Sequence, residues 1–143
     1  MRFRKGFFFL MLIVVFGCDQ RQADVPVCGR FAFVSSDLFN NAINRGDFLI
    51  QSARVEGDCL LMDIAISATC DINDTEVELI DSGNIIDSSL PERNLRLLLD
   101  TDDRCQFSEM VTVSFDLRPL RISGKEEVIL NIQAFNDAIS YTY

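Results

Sequence analysis

Apolar and polar residues alternate along much of this chain, which is the period-two signature of half-buried β-strands. Cys59 to Ser67 (CLLMDIAIS) places Leu60, Met62, Ile64 and Ile66 on one face. Val111, Val113, Phe115 and Leu117 alternate with Thr112, Ser114 and Asp116 in the clearest such strand. Val128 to Phe135 and Ile139 to Tyr143 flank Asn136-Asp137, a pair that tolerates positive φ, and read as a C-terminal hairpin. Ser123-Gly124-Lys125 reads as the turn leading into it. Further strands are predicted over Arg30–Val34, Phe48–Val55, Glu76–Asp81 and Leu95–Leu99. Ser36 to Asn44 reads either as one or two helical turns capped by Ser36 or Asp37, or as a short strand. Seven to nine short strands separated by Gly, Asn, Asp and Pro clusters predict an all-β fold. The expected form is a single antiparallel β-sandwich or partly closed barrel.

The first residues break this pattern. Arg2, Arg4 and Lys5 precede an apolar run from Phe7 to Phe16, and Gly17-Cys18 closes it. That is the basic head, apolar middle and small-residue cleavage site of a secretory signal. The run is too short for a permanent span, which needs roughly 20 residues. Val15-Phe16-Gly17-Cys18 resembles a bacterial lipobox, which makes Cys18 the predicted lipidation site. The alternative is an ordinary signal peptide with Cys18 as a fifth thiol. Several acyl chains hold a membrane firmly, because each buried CH₂ contributes about 0.8 kcal/mol. Residues 18–27 are polar, carry Pro26 and lack periodicity, so they read as a flexible tether. The organisation is thus a signal peptide over 1–17, a tether over 18–27 and a β domain over 28–143.

Cleavage changes the charge. Residues 1–17 hold three of the 13 basic residues and none of the 22 acidic ones, leaving ten against 22 and a net charge of −12. So acidic a chain repels phosphate backbones, which speaks against nucleic-acid binding and favours basic partners or cations.

Four cysteines follow the anchor: Cys28, Cys59, Cys70 and Cys105. An even number in an exported chain predicts two disulfides. Zinc is a poor rival, since histidine and Cys-x-x-Cys pairs are both absent. Cys59 and Cys70 sit at opposite ends of one predicted strand, about 35 Å apart if extended. Disulfide Cα atoms must come within about 7 Å, so that pairing is excluded and two remain. Cys70–Cys105 with Cys28–Cys59 is preferred.

Several short stretches carry a resemblance. They are Gly57-Asp58-Cys59-Leu60, Cys70, Leu97-Leu98-Leu99 with Asp103-Arg104-Cys105, Ser114-Phe115-Asp116-Leu117 and Ile139-Ser140-Tyr141-Thr142-Tyr143. Their spacing resembles that of small uncharacterised lipoproteins of Bacteroidota, over roughly residues 50–143. Such proteins commonly have Gly-Gly before the cysteine equivalent to Cys70, where this chain has Ala68-Thr69. The resemblance implies a β domain in the cell envelope and carries no activity with it.

Catalytic templates fail one by one. Without histidine, the commonest base for Ser or Cys nucleophiles is missing. Leu98-Leu99-Asp100-Thr101 is similar to the aspartic-protease signature, but Asp102 stands where glycine is needed. A carboxylate-only hydrolase is left as the enzymatic alternative. The chain has no Trp for sugar stacking, and Tyr141 and Tyr143 read as packing or sheet-edge residues, with sugar binding as the alternative.

One acidic constellation is worth following. Asp71, Asn73 and Asp74 follow Cys70, while Asp100, Asp102 and Asp103 precede Cys105. A Cys70–Cys105 bond would bring these loops together, and crowded hard oxygen ligands suit Ca²⁺. The spacing is not that of an EF-hand, and solvated loop-end acids are the simpler reading. No other cofactor is expected.

Together these features predict a lipid-anchored envelope protein that binds or scaffolds and does not catalyse. The expected location is the outer membrane, with the periplasmic face of the inner membrane as alternative. Its predicted partners are the membrane, through the anchor, and an envelope protein or polymer, through loops or an edge strand. The competing reading is an inhibitor of a secreted enzyme or a small-ligand binder.

Overall fold

A computed structural model of the chain describes residues 26–67, 75–101 and 108–143. Strict alternation does what it predicts in the middle of the chain. Leu60, Met62, Ile64 and Ile66 are fully buried along one face of strand β4 (Cys59–Ser67). This strand lies between β3 (Asp47–Glu56) and β7 (Ser108–Asp116), antiparallel to both, and β1 (Arg30–Phe31) runs parallel to β7. The first sheet therefore has the order β1-β7-β4-β3.

The second sheet is built from β2 (Phe33–Val34), β5 (Glu76–Ile86), β6 (Glu92–Asp100), β8 (Glu127–Ile132) and β9 (Ile139–Thr142), in the order β2-β5-β6-β8-β9. Val77, Leu79, Leu95, Leu97, Leu99, Val128, Leu130 and Ile132 from this sheet join the β4 residues, Phe115 and Tyr141 in one apolar cluster. An apolar layer between two sheets is the sandwich that the pattern predicts. Three of its pairings are parallel, namely β1–β7, β2–β5 and β6–β8. The other four strand pairings among the described residues are antiparallel, as expected, and the parallel ones need connections that sequence alternation does not record.

The predicted strand Arg30–Val34 is in fact two. Phe31 ends in the first sheet and Phe33 begins in the second, with Ala32 between them fully buried and its N–H donating to the Asp116 carbonyl at 3.0 Å. A small side chain at this crossing lets the backbone pass between the layers. The ambiguous segment after it is a helix, α1 (Ser36–Asn41), capped by neither Ser36 nor Asp37 but by Ser35, whose Oγ accepts from the Leu38 N–H at 3.3 Å. Arg96 donates to the Phe39 and Ala42 carbonyls at 2.7 and 2.8 Å, satisfying the helix end. Ile80 pairs with Arg96 across β5 and β6, so it shares that face and is buried beneath the helix.

At the C-terminal hairpin the positive φ falls on Ala134 (67°) and not on the Asn136-Asp137 pair. The Phe135 N–H closes that turn by donating to the Ile132 carbonyl. Gly124 (φ 76°) and the Lys125 N–H bonded to the Ile122 carbonyl form the turn expected before β8. Strand β5 outruns its predicted end at Asp81, continuing past an irregularity between Asp81 and Ile85.

Candidate functional site at the open side of the sandwich

Where the chain enters the sandwich, it is fastened twice. A disulfide joins Cys28 to Cys59, with Cα atoms 6.0 Å apart. The Val27 N–H donates to Asp116 Oδ2 at 2.8 Å. Asp116 is fully buried, and Arg118 returns to it through its backbone N–H at 3.0 Å, Nε at 3.0 Å and Nη2 at 2.7 Å. Burial pushes the Asp116 carboxyl up, but the Arg118 side chain and the two backbone N–H donors outweigh it and leave it below its ordinary value. Between the two fastenings and β1, Gly29 adopts φ 48°, and a Cβ there would stand 2.0 Å from the Ser114 carbonyl oxygen. No other residue fits so close an approach.

This clasp leads the chain across β7 and, among the described residues, leaves much of that strand's outer edge unpaired. β1 covers β7 only at Phe115 and Asp116, and β2 covers β5 only at Ile80 and Asp81. Ser108–Ser114 of β7 and Glu76–Leu79 of β5 therefore have no further strand beside them among the described residues. Between these edges lies a groove of about 530 Å³, with Val77, Val111, Val113 and Phe115 as its apolar lining. Arg30 bridges the two sheets beside it, donating to Glu76 Oε1 at 3.2 Å and to the Val77 carbonyl at 3.4 Å. Val111 and Val113 are only half-buried, although alternation places them on the core face.

The opposite side of the sandwich is tied shut. The Tyr141 hydroxyl donates to Asp58 Oδ1 at 2.7 Å, and Arg121 reaches both, with Nε on the Tyr141 oxygen at 3.0 Å and Nη2 on Asp58 Oδ1 at 2.5 Å. Arg121 also stacks over the Tyr143 ring, 5.2 Å from its centroid. The Tyr143 hydroxyl accepts from the Ile122 N–H at 2.8 Å. Burial pushes Tyr141 up to about 12, while the Tyr141 hydroxyl and then Arg121 hold Asp58 below its ordinary value. Asp58 sits in the β3–β4 turn and Tyr141 on β9, so this network joins the two sheets. A sugar-stacking role for the tyrosines is not supported: Tyr141 is fully buried and its ring packs 4.9 Å from that of Tyr143.

Of the residues singled out from the sequence, Cys28 and Cys59 meet in the disulfide. Cys18, Cys70, Cys105, Asp71, Asn73, Asp74, Asp102 and Asp103 lie outside the described residues. Asp100 ends β6 exposed, 3.5 Å from Arg45. Among the described residues no group of three or more His, Cys, Asp or Glu is placed to hold a metal, and no helix is long and apolar enough to cross a membrane. Sequence reasoning missed the roles of Asp58, Asp116, Arg118 and Arg121. The signal was present for two of them, since Gly57-Asp58 and Asp116-Leu117 both stand in the stretches that carry the family resemblance.

No family model matches the chain, and no curated protein matches it. Among solved structures it is similar to a DUF1344 protein of unknown function from Bacteroides vulgatus, with a TM-score of 0.52 at 12% identity. The match covers 81% of this chain and 56% of that one, so the chain spans little more than half of its neighbour's length. A candidate lipoprotein from Bacteroides fragilis matches with a TM-score of 0.49 at 11% identity, over 81% of this chain and 69% of that one. At such identity the first likeness shows a shared fold and nothing of activity.

Proposed function

We propose that this chain is a lipid-anchored protein of the bacterial cell envelope, a non-catalytic module that receives an extended segment of a partner protein at the open side of its sandwich. The observation that carries this reading is the groove between the edges of β7 and β5 that no further strand covers among the described residues. Free backbone N–H and C=O groups on such an edge can pair with an added strand, while pockets beside it accept alternate side chains. The anchor comes from the lipobox-like stretch ending at Cys18, and the reading favours the outer membrane. A tether over residues 18–27 reaches at most about 35 Å, and the clasp at Val27 and Cys28 transmits that restraint directly to β7 and β4. The acidity of the chain favours a segment with basic residues flanking its apolar positions.

The test is recovery of a partner from detergent-solubilised envelope by the acylated chain and by Val111→Trp, which fills the groove. The expected result is a protein retained by the first and lost with the second, both having the same circular dichroism. Equal recovery by both, or none by either, would overturn the reading.

A further inference from the structure

The edge strand on the other side of the first sheet points to a second copy of this chain. β3 is ten residues long and pairs only with β4, so its outer edge is free among the described residues. A long free edge is usually guarded by charged side chains or by a bulge. This one has both, an irregularity between Ile50 and Ser52 and charges of both signs, and the order of the charges is self-complementary. Antiparallel pairing of two β3 strands about a dyad between Ile50 and Gln51 sets Asp47 of each copy opposite Arg54 of the other.

The register of the sheet makes this pairing work on the right face. Asp47, Leu49, Ser52 and Arg54 face Ser67, Ala65, Asp63 and Leu61 on β4, four residues of one parity. They therefore share the outer face, although their own numbers change parity between Leu49 and Ser52. The irregularity between Ile50 and Ser52 makes that change, and it falls on the proposed dyad. Without it, Asp47 and Arg54 would point to opposite faces and could not meet. The same outer face carries exposed Leu49 and Met110, which share a cross-strand row through Ala65. A second copy continuing the sheet would bring an added strand up against that row.

We infer that two copies associate through antiparallel β3 edges, held in register by reciprocal Asp47–Arg54 pairs. To form them, the half-exposed Arg54 exchanges its contacts with Glu56 Oε1 (2.9 Å) and Asp63 Oδ2 (3.7 Å) of its own chain. Opposite charges directly across a strand pair attract and like charges repel, and a two-fold interface doubles each effect. Anchoring in one membrane would raise the effective concentration of the copies.

Charge exchange tests this with the full acylated chain in detergent, followed by sedimentation equilibrium. The unmodified chain is expected to dimerise. Asp47→Arg and Arg54→Asp alone should each weaken the dimer at least about tenfold, since each sets like charges opposite each other twice. Mixing these two variants should restore a heterodimer, because every facing pair is then opposite in sign. Restoration cannot come from a purely structural role of either residue. An unmodified chain that stays monomeric, single variants that associate as well as it does, or a mixture that stays monomeric would overturn the inference.

Discussion

Asp116 and Asp81 are both fully buried and both face an arginine, yet they are held differently. Asp116 fills both oxygens, from the Val27 N–H and from three donors of Arg118, whose guanidinium is partly open to solvent. Asp81 uses one oxygen, Oδ1, for the Gly83 N–H at 2.6 Å and Arg93 Nη1 at 3.0 Å. Its Oδ2, and Nε of Arg93, have no hydrogen-bond partner among the described residues. The difference teaches what each carboxylate does. A buried ion pair stabilises only when its remaining donors and acceptors are also met. Asp116 meets that condition and fastens the incoming chain, whereas Asp81 sits at the irregularity of β5 and carries an unmet desolvation cost.

The sharpest break in that comparison is Asp116→Ala. It removes the acceptors of Val27 and Arg118 together and should cost about 3 kcal/mol in urea unfolding. Loss of the disulfide is the next effect. Cys28→Ser with Cys59→Ser should cost about 2 kcal/mol or more, and hydrogen exchange should show faster opening of β1 while the β5–β6 pairing stays protected. Acid should separate the same two regions. Because the Asp116 carboxyl lies below its ordinary value, its contribution is complete above about pH 3.9 and is lost as pH falls through the lower folded value. Asp116→Asn should therefore flatten the stability profile below pH 4. The smallest change is expected at the other aspartate: Asp81→Leu with Arg93→Met should leave stability within about 1 kcal/mol or raise it. A large loss there would show that the pair is better satisfied than its geometry implies.

The strands were legible wherever one face is buried along their whole length. β4 keeps its predicted limits because both neighbours cover it from end to end. Val111 and Val113 show where the pattern stops informing: alternation marks them for the core, but it says nothing about whether the facing sheet extends over them. The crossing at Ala32 was hidden for a related reason, since a strand that changes sheets keeps its local extended pattern. Asp116 stands in a polar position of β7 and reads as solvent-facing. Its burial depends on Val27 and Arg118, and Val27 lies 89 residues away in the chain. Of the candidate site, cysteine count and strand length narrowed the disulfides to two pairings, and the Cys28–Cys59 bond belongs to the preferred one, whereas the groove arises from how short β1 and β2 are, which no periodicity encodes.

The most direct measurement is photo-crosslinking in intact cells. A photoreactive phenylalanine analogue is placed at Val113, in the groove, and in a separate chain at Ser140, on β9 at the closed side. The account predicts a discrete adduct with a second protein from position 113, with none at that mass from position 140. Absence of any adduct from position 113, or the same adduct from both, would contradict it.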